Sequence, residues 1–393
     1  MHHLKNEFLF KLREIVLSAA IILFGLGQLG RLEFFNIDAP IYLYEIFLAL
    51  FLFLFIIKRF KVKFNKLIIS GFIFINFLGI SLIFSLHKYP ATHSIEAILY
   101  FLRLITYVIL ICLSSSSFKQ FKNSRSIKLS FLISLVFIIT TSIIQFLFFP
   151  KVGILSYLGW DPHMYRVIGL FFDPPITVSV YAIIAIIFLS LKNISNYFKY
   201  GVTFILLLLS ILTYSRGGFV AIILTSIIFL ILKKRFKYII LIFITCLIIF
   251  PLISSNHLES LNLLRTMSIE SRIKNNKEGL SFFYKNPIIG LGYNQIKSEK
   301  IKSRPELYLK NLNSNSIASF HSSFINILVT GGVLGLFFFI IFLISLTKIS
   351  LIHFYAVVFS SIISLFDNVL LHPFVLFLFF CLAYFNKEKA KNQ

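Results

Sequence analysis

Twelve long apolar runs, separated by short polar breaks, decide what this chain can fold into. They cover 15–30, 41–57, 67–84, 95–113, 129–149, 167–191, 201–214, 218–232, 238–253, 324–346, 351–366 and 372–385. A helix needs about 20 apolar residues to cross a bilayer core, and a tilted strand only about 9–11. The runs are continuously apolar and do not alternate as barrel strands do. Their sum shows in the composition: 58% of residues are hydrophobic and 49 are Phe, against about 45–50% apolar in soluble domains. The expectation is an all-α polytopic membrane protein of about twelve transmembrane helices, forming one membrane domain over 1–393. The first run lacks a small-residue cleavage pattern and reads as a retained span. Cys112, Cys246 and Cys381 lie in or beside apolar runs, with no pairing or ligand spacing, and read as small apolar residues.

The basic residues orient the spans. With the N-terminus in the cytoplasm and twelve spans alternating, the short inner loops hold 22 Lys and Arg and the short outer loops five. That asymmetry follows the positive-inside rule. It places both termini in the cytoplasm and explains most of the formal charge of +23 without nucleic acid. Basic inner loops also attract anionic membrane lipids. The one long polar interval, 254–320 between the ninth and tenth spans, then lies outside the cytoplasm. It carries ten Lys and Arg and five Glu.

Outward-facing basic residues are the ones topology leaves unexplained. Arg166 and Asp173 flank the start of the sixth span, and Pro174 and Pro175 break the backbone there. Asp173 is expected one to two turns into that span, either as a structural ion pair with Arg166 or Arg216 or as a cavity wall. Arg216 sits in Ser215-Arg216-Gly217-Gly218, an almost zero-length link between spans seven and eight. It reads either as an arginine reaching to lipid headgroups or, beside the N–H groups opening the next helix, as a phosphate cradle. Within the long interval, 269–284 has helical spacing, with Ile269, Ile273, Leu280, Phe283 and Tyr284 near one face, and stops at Asn286-Pro287. It reads as an amphipathic helix on the membrane surface or docked over the spans. The stretch 297–319, basic and then Asn/Ser-rich, reads as a mobile flap. His321 opens the tenth span, as a cap or as a functional residue. Arg103, near the middle of the fourth span, has Glu45 as its candidate partner. The outward acids and nine His do not group as metal ligands, and no P-loop, GxSxG or HExxH is present.

Taken in order, these pieces resemble the O-antigen ligase and polymerase superfamily of membrane glycosyltransferases. Arg166-Val-Ile-Gly-Leu-Phe-Phe-Asp173-Pro174 is similar to its Arg-x-x-Gly-x-x-x-x-Pro-Asn segment, with Pro175 in place of Asn. Thr213-Tyr-Ser215-Arg216-Gly217 is similar to its Ser-Arg-Gly turn. Arg272, ahead of Pro287-Ile-Ile-Gly290-Leu-Gly292, is similar to its Arg and Pro-Leu-x-Gly-x-Gly, with Asn276 where Trp is usual. His321-Ser322-Ser-Phe324 and Gly332-Val-Leu-Gly335 are similar to its His-Asn-x-x-Leu and Gly-x-x-Gly.

The resemblance implies a helical fold of the glycosyltransferase C type at the bacterial inner membrane, with its site on the periplasmic face and no cofactor or metal. It implies a glycan donor on undecaprenyl pyrophosphate and a lipid-linked or lipid A core acceptor. Arg216, Arg272 and His321 are then the catalytic candidates. Arg166, Asp173, Ser215, Arg265 and Ser322 are the substrate-binding ones. A polymerase extending lipid-linked repeats differs from a ligase only in its acceptor. A transporter or flippase for lipid-linked glycans is the non-enzymatic alternative. It would spread ionisable residues along a central path, whereas here they concentrate on one face.

Overall fold

The computed structural model describes residues 2–34, 37–57, 64–116, 124–153, 163–191, 194–236, 266–308 and 317–385. Eight helices come first: α1 (His2–Phe24), α2 (Leu43–Ile56), α3 (Lys66–Ser85), α4 (Ala91–Ser116), α5 (Arg125–Phe148), α6 (Pro174–Ser190), α7 (Asn196–Leu212) and α8 (Arg216–Leu232). The polar interval contributes α9 (Thr266–Lys285), α10 (Ile296–Ser303) and α11 (Pro305–Tyr308). The last three are α12 (Ser323–Thr347), α13 (Leu351–Ile363) and α14 (Pro373–Phe385). Every expected apolar run within the described residues thus contains a helix. The ninth run, 238–253, and the first part of the polar interval, to 265, lie outside them. Two antiparallel hairpins complete the structure: β1 (Arg31–Phe34) with β2 (Ile37–Tyr42), and β3 (Lys151–Val152) with β4 (His163–Met164).

This is a mostly helical membrane protein. Among the described residues four helices are long and apolar enough to cross a bilayer: Lys66–Lys88, Ala91–Ser114, Arg125–Phe148 and Ser323–Thr347. The shorter apolar helices include α14, whose 13 residues rise only about 20 Å. Its residues from Phe374 to Phe385 are all buried. A helix that is apolar all round belongs in a core, and α14 is packed by rings on several sides. Phe377 stacks on Phe24 of α1 at 4.6 Å, and Phe374 lies 5.8 Å from Tyr44 of α2. Helix starts are defined locally: Asn65, Ser124, Ser195, Ser215 and Ser350 each accept a backbone N–H three residues ahead, as N-caps do.

The charge inside the fourth span has the partner its position called for. Arg103 Nε lies 3.1 Å from Glu45 Oε1, with side chains 15% and 10% exposed. Arg103 also donates to the Pro40 carbonyl. The Tyr107 hydroxyl and the Tyr42 N–H donate to Glu45.

One expected span is redrawn. The run 167–191 becomes helical only at Pro174, with Pro at the first two positions. There the missing N–H groups cost no helix bond and the fixed φ suits the first turn. Asp173 is therefore the N-cap residue and not a charge inside the span. Residues 166–173 are irregular yet mostly buried, which membrane proteins tolerate only where the backbone is satisfied within protein. Gln145 of α5 does much of this. Its Oε1 accepts from the N–H of Ile168 and Gly169, and its Nε2 donates to Arg166 O. Val167 N–H donates to Leu212 O, and Gln28 N–H to Leu170 O.

The polar interval is joined to the membrane helices through a break in α12. Gly332 takes φ 66° and ψ −168° inside that helix, a left-handed conformation open mainly to glycine. The chain 287–292 fills the break. Val333 N–H donates to Pro287 O at 2.8 Å, Leu291 N–H to Val329 O at 2.9 Å, and Gly292 N–H to Thr330 O at 3.1 Å. The Ser81 hydroxyl of α3 stands 2.7 Å from both Ile289 O and Thr330 O. A Cβ at Gly332 would fall 2.2 Å from Ile288 O. Gly290 and Gly332, one from each glycine motif, are therefore two halves of one joint, where backbones meet too closely for side chains.

Candidate functional site

The site is assembled at the starts of α8 and α12, along α9, and at the turn between α13 and α14. Its first element is the link from α7 to α8. Tyr214 is left-handed at φ 51°, which costs a non-glycine residue about 1–2 kcal/mol. Ser215 then caps α8, its Oγ accepting from Gly218 N–H at 3.2 Å, and Arg216 is the first helical residue. A Cβ at Gly218 would stand 2.6 Å from Val178 of α6, and one at Gly217 would stand 3.3 Å from Asp367 Oδ2. The two glycines let the first turn of α8 press against α6 on one side and a carboxylate on the other.

Asp367 is the residue that sequence reasoning missed, and it lies at the centre. Arg272 Nη2 donates to its Oδ1 at 2.9 Å, and His321 Nδ1 lies 3.9 Å from the same oxygen. Oδ2 is buried and makes no hydrogen bond among the described residues. Burial pushes this carboxyl up to about 8, with Asp173 pushing further and Arg272 and Arg216 pulling it back. Of the expected site residues, Arg272 and His321 thus reach one carboxyl group, and Arg216 and Asp173 act on it through their charges. The signal for it was its place: the assumed alternation of spans puts the 364–372 turn on the outer face.

The start of α12 is tied to that turn. Ser322 Oγ donates to Ser364 O at 2.9 Å, and Ser323 N–H to the same carbonyl at 3.1 Å. Ser323 Oγ donates to Asn368 Oδ1 and accepts from Leu370 N–H. Ser322 is 3% exposed, so its hydroxyl braces the turn that carries Asp367. His321, by contrast, has a side chain 45% exposed, open to an incoming group, and its N–H donates to Asn275 Oδ1 of α9 at 3.0 Å.

Helix α9 matches its expected limits but presents a different face. Gly279 and Phe282 are buried, and Arg272 is half-buried. Ile273, Leu280 and Tyr284 are exposed, so of the two placements expected for the apolar stripe these residues fit the membrane-surface one and not docking over the spans. Docking follows the face that bears Arg272, Asn275 and Gly279, where a Cβ on Gly279 would meet Ile325 at 2.6 Å. The expected mobile flap is corrected too. Residues 296–303 form α10, with Ile296, Ser298, Glu299 and Lys300 buried. Lys297 pairs with Asp38 at 2.5 Å and Lys285 with Glu299 at 2.7 Å, while the Tyr89 hydroxyl donates to Glu299. Asp38 of β2, Lys285 of α9 and the Tyr89 hydroxyl thus hold a segment whose own composition suggested solvent. Residues 309–316 lie outside the described residues.

Arg166 is 8% exposed and lies beside Tyr214, its charge opposing the rise that burial imposes on that phenol. Phe172, just before Asp173, is left-handed at φ 59°. Arg265 lies outside the described residues. Among the described residues no group of three His, Cys, Asp or Glu side chains is placed to hold a metal ion.

Residues 201–340 match the family model described as O-antigen ligase. The match supports the resemblance to the O-antigen ligase and polymerase superfamily read from the motifs. It encloses Arg216, Arg272 and His321, and excludes Arg166, Asp173 and Asp367. No curated protein matches the chain.

Proposed function

We propose that the chain, whose residues 201–340 match an O-antigen ligase model, is an inverting membrane glycosyltransferase of the ligase type. It spans the bacterial inner membrane twelve times with both termini in the cytoplasm. It moves a glycan from undecaprenyl pyrophosphate to a sugar hydroxyl, such as that of a lipid A core, at the periplasmic face. The observation that carries this reading is the convergence of Arg216, Arg272 and His321, from α8, α9 and the start of α12, on the buried Asp367.

In the proposed reaction the acceptor hydroxyl oxygen attacks the anomeric carbon. The anomeric C–O bond to phosphate breaks, and undecaprenyl pyrophosphate leaves with that bond's electron pair. Arg216 and Arg272 stabilise the developing charge, since guanidinium groups bind phosphate oxygens bidentately. They do the work a divalent cation does elsewhere. The hydroxyl proton passes to His321 Nε2. Asp367 Oδ1, 3.9 Å from Nδ1, borders the ring at its other nitrogen. Arg166 and Asp173 border the donor phosphates and sugar, and Ser215 shapes the cradle through its cap. The ligase and polymerase readings share this chemistry and differ in the acceptor.

The test is direct. Protein reconstituted in nanodiscs is given undecaprenyl-pyrophosphate oligosaccharide extracted from the host strain, with either core lipid A or a second lipid-linked oligosaccharide as acceptor. Acceptor-dependent release of undecaprenyl pyrophosphate supports transfer, and the acceptor that works separates ligase from polymerase. Movement of the donor across the bilayer without release would overturn the enzymatic reading in favour of a flippase.

A further inference from the structure

One of the buried charges outside the transfer chemistry touches the residues next to His321. Lys300 of α10 is 1% exposed. Its Nζ donates to Ser319 O at 3.4 Å and stands 4.5 Å from the centre of the Phe320 ring. Those are the two residues immediately before His321. An ammonium group is costly to bury, and burial lowers this one to about 8, with Glu278 of α9 opposing the shift. A methionine or leucine of similar reach would fill the same space without that cost. What the amine adds is direction, through its bond to a chosen carbonyl and its contact with a ring face.

The segment it grips is held from other sides as well. Phe320 is 1% exposed. Its N–H donates to Asn326 Oδ1 at 2.7 Å, and its carbonyl accepts from Asn326 Nδ2 at 2.8 Å. Phe282 of α9 meets its ring edge-on at 6.0 Å. The helix bearing Lys300 is itself anchored by Lys297–Asp38 and Lys285–Glu299. Arg304, just beyond α10, lies 3.9 Å from Glu278.

We infer that Lys300 is a positioning residue for the transfer reaction: it fixes the 319–320 backbone so that the exposed His321 ring meets the acceptor hydroxyl. The inference rests on the proposed transfer activity. It assigns α10 a part in catalysis that no contact with donor or acceptor requires. Holding a reacting group in its attack geometry changes kcat more than ground-state binding.

The test uses full-length protein in nanodiscs, with the host-strain undecaprenyl-pyrophosphate oligosaccharide as donor. Lys300→Met is expected to lower kcat about tenfold or more while donor KM stays within about twofold. Hydrogen exchange should rise at 319–321 and stay unchanged in α9. Lys302→Met, on the exposed side of the same helix, should match wild type. Unchanged kcat in Lys300→Met overturns the inference. So does a loss of activity accompanied by faster exchange throughout 266–303, because Lys300 would then only hold the fold together. If wild-type protein shows no transfer, the proposed function fails. If wild type transfers and Lys300→Met does so equally well, only this inference fails.

Discussion

Replacing Asp367 with asparagine will uncouple donor binding from pH. In the resting protein Asp367 occupies Arg272 at 2.9 Å, the guanidinium that the donor pyrophosphate is proposed to need. As the donor takes Arg272 and Arg216, Asp367 loses the two charges that favour its ionised form. Burial and Asp173, which disfavour that form, remain. The carboxyl must then hold a proton. Its resting value of about 8 sets the window. Below it the group is already largely neutral and the donor displaces no charge. Above it each bound donor brings a proton, so apparent KM rises with pH. For obligatory proton uptake, KM should be nearly flat to about pH 7 and about tenfold higher by about pH 9, because each unit of pH is worth about 1.4 kcal/mol. Asparagine keeps the Oδ1 acceptor facing His321, so the variant should retain turnover with a KM independent of pH. The assay is undecaprenyl pyrophosphate release at varied donor concentration in nanodiscs, paired with calorimetry in two buffers of different ionisation enthalpy. A wild-type KM equal at both pH values, or an equal rise in the asparagine variant, refutes the reasoning.

Further outcomes test other parts of the structure. Arg216→Ala, Arg272→Ala and His321→Ala should each lower transfer by about 10²-fold or more, while the protein inserts and elutes normally on size exclusion. Gly332→Ala should destabilise the protein by about 2–4 kcal/mol, read as a fall in thermal midpoint, because φ is positive and Ile288 O occupies the Cβ position. Arg103→Leu should cost about 3–5 kcal/mol by stranding Glu45, and adding Glu45→Gln should restore most of the loss, as measured by thermal unfolding in detergent.

Much of the helical layout was legible in the sequence, because apolar length and turn residues are local signals. The run 129–149 became α5 and 324–346 became α12 within a few residues at each end. Glu45 was identifiable as the partner of Arg103 because a charge at that depth has few alternatives. What stayed hidden depends on contacts far apart in the chain. Asp367 reads as an ordinary turn acid until Arg272, 95 residues earlier, is seen to reach it. The periodicity of 269–284 announced a helix, but not that its docked face would be the one bearing Arg272, Asn275 and Gly279. Basic α10 read as solvated because its partners, Asp38, Lys285 and the Phe320 ring beneath Lys300, were not adjacent to it in the chain. The glycines of 290–292 and 332 carried little meaning singly, and acquire it only as a pair.

The break in α12 also has a mechanical consequence. Because 287–292 is hydrogen-bonded into that break, the C-terminal end of α9 is spliced to a membrane span and cannot lift away like a hinged cover. A span longer or shorter than the local hydrocarbon thickness responds by tilting or kinking. Any such tilt of α12 carries the splice with it and bears on Arg272 from the far end of α9, about 20 Å away along the helix axis. Nanodiscs of thinner or thicker lipid are therefore expected to shift donor KM through the Arg272–Asp367 contact, and an unchanged KM across lipid lengths would refute this.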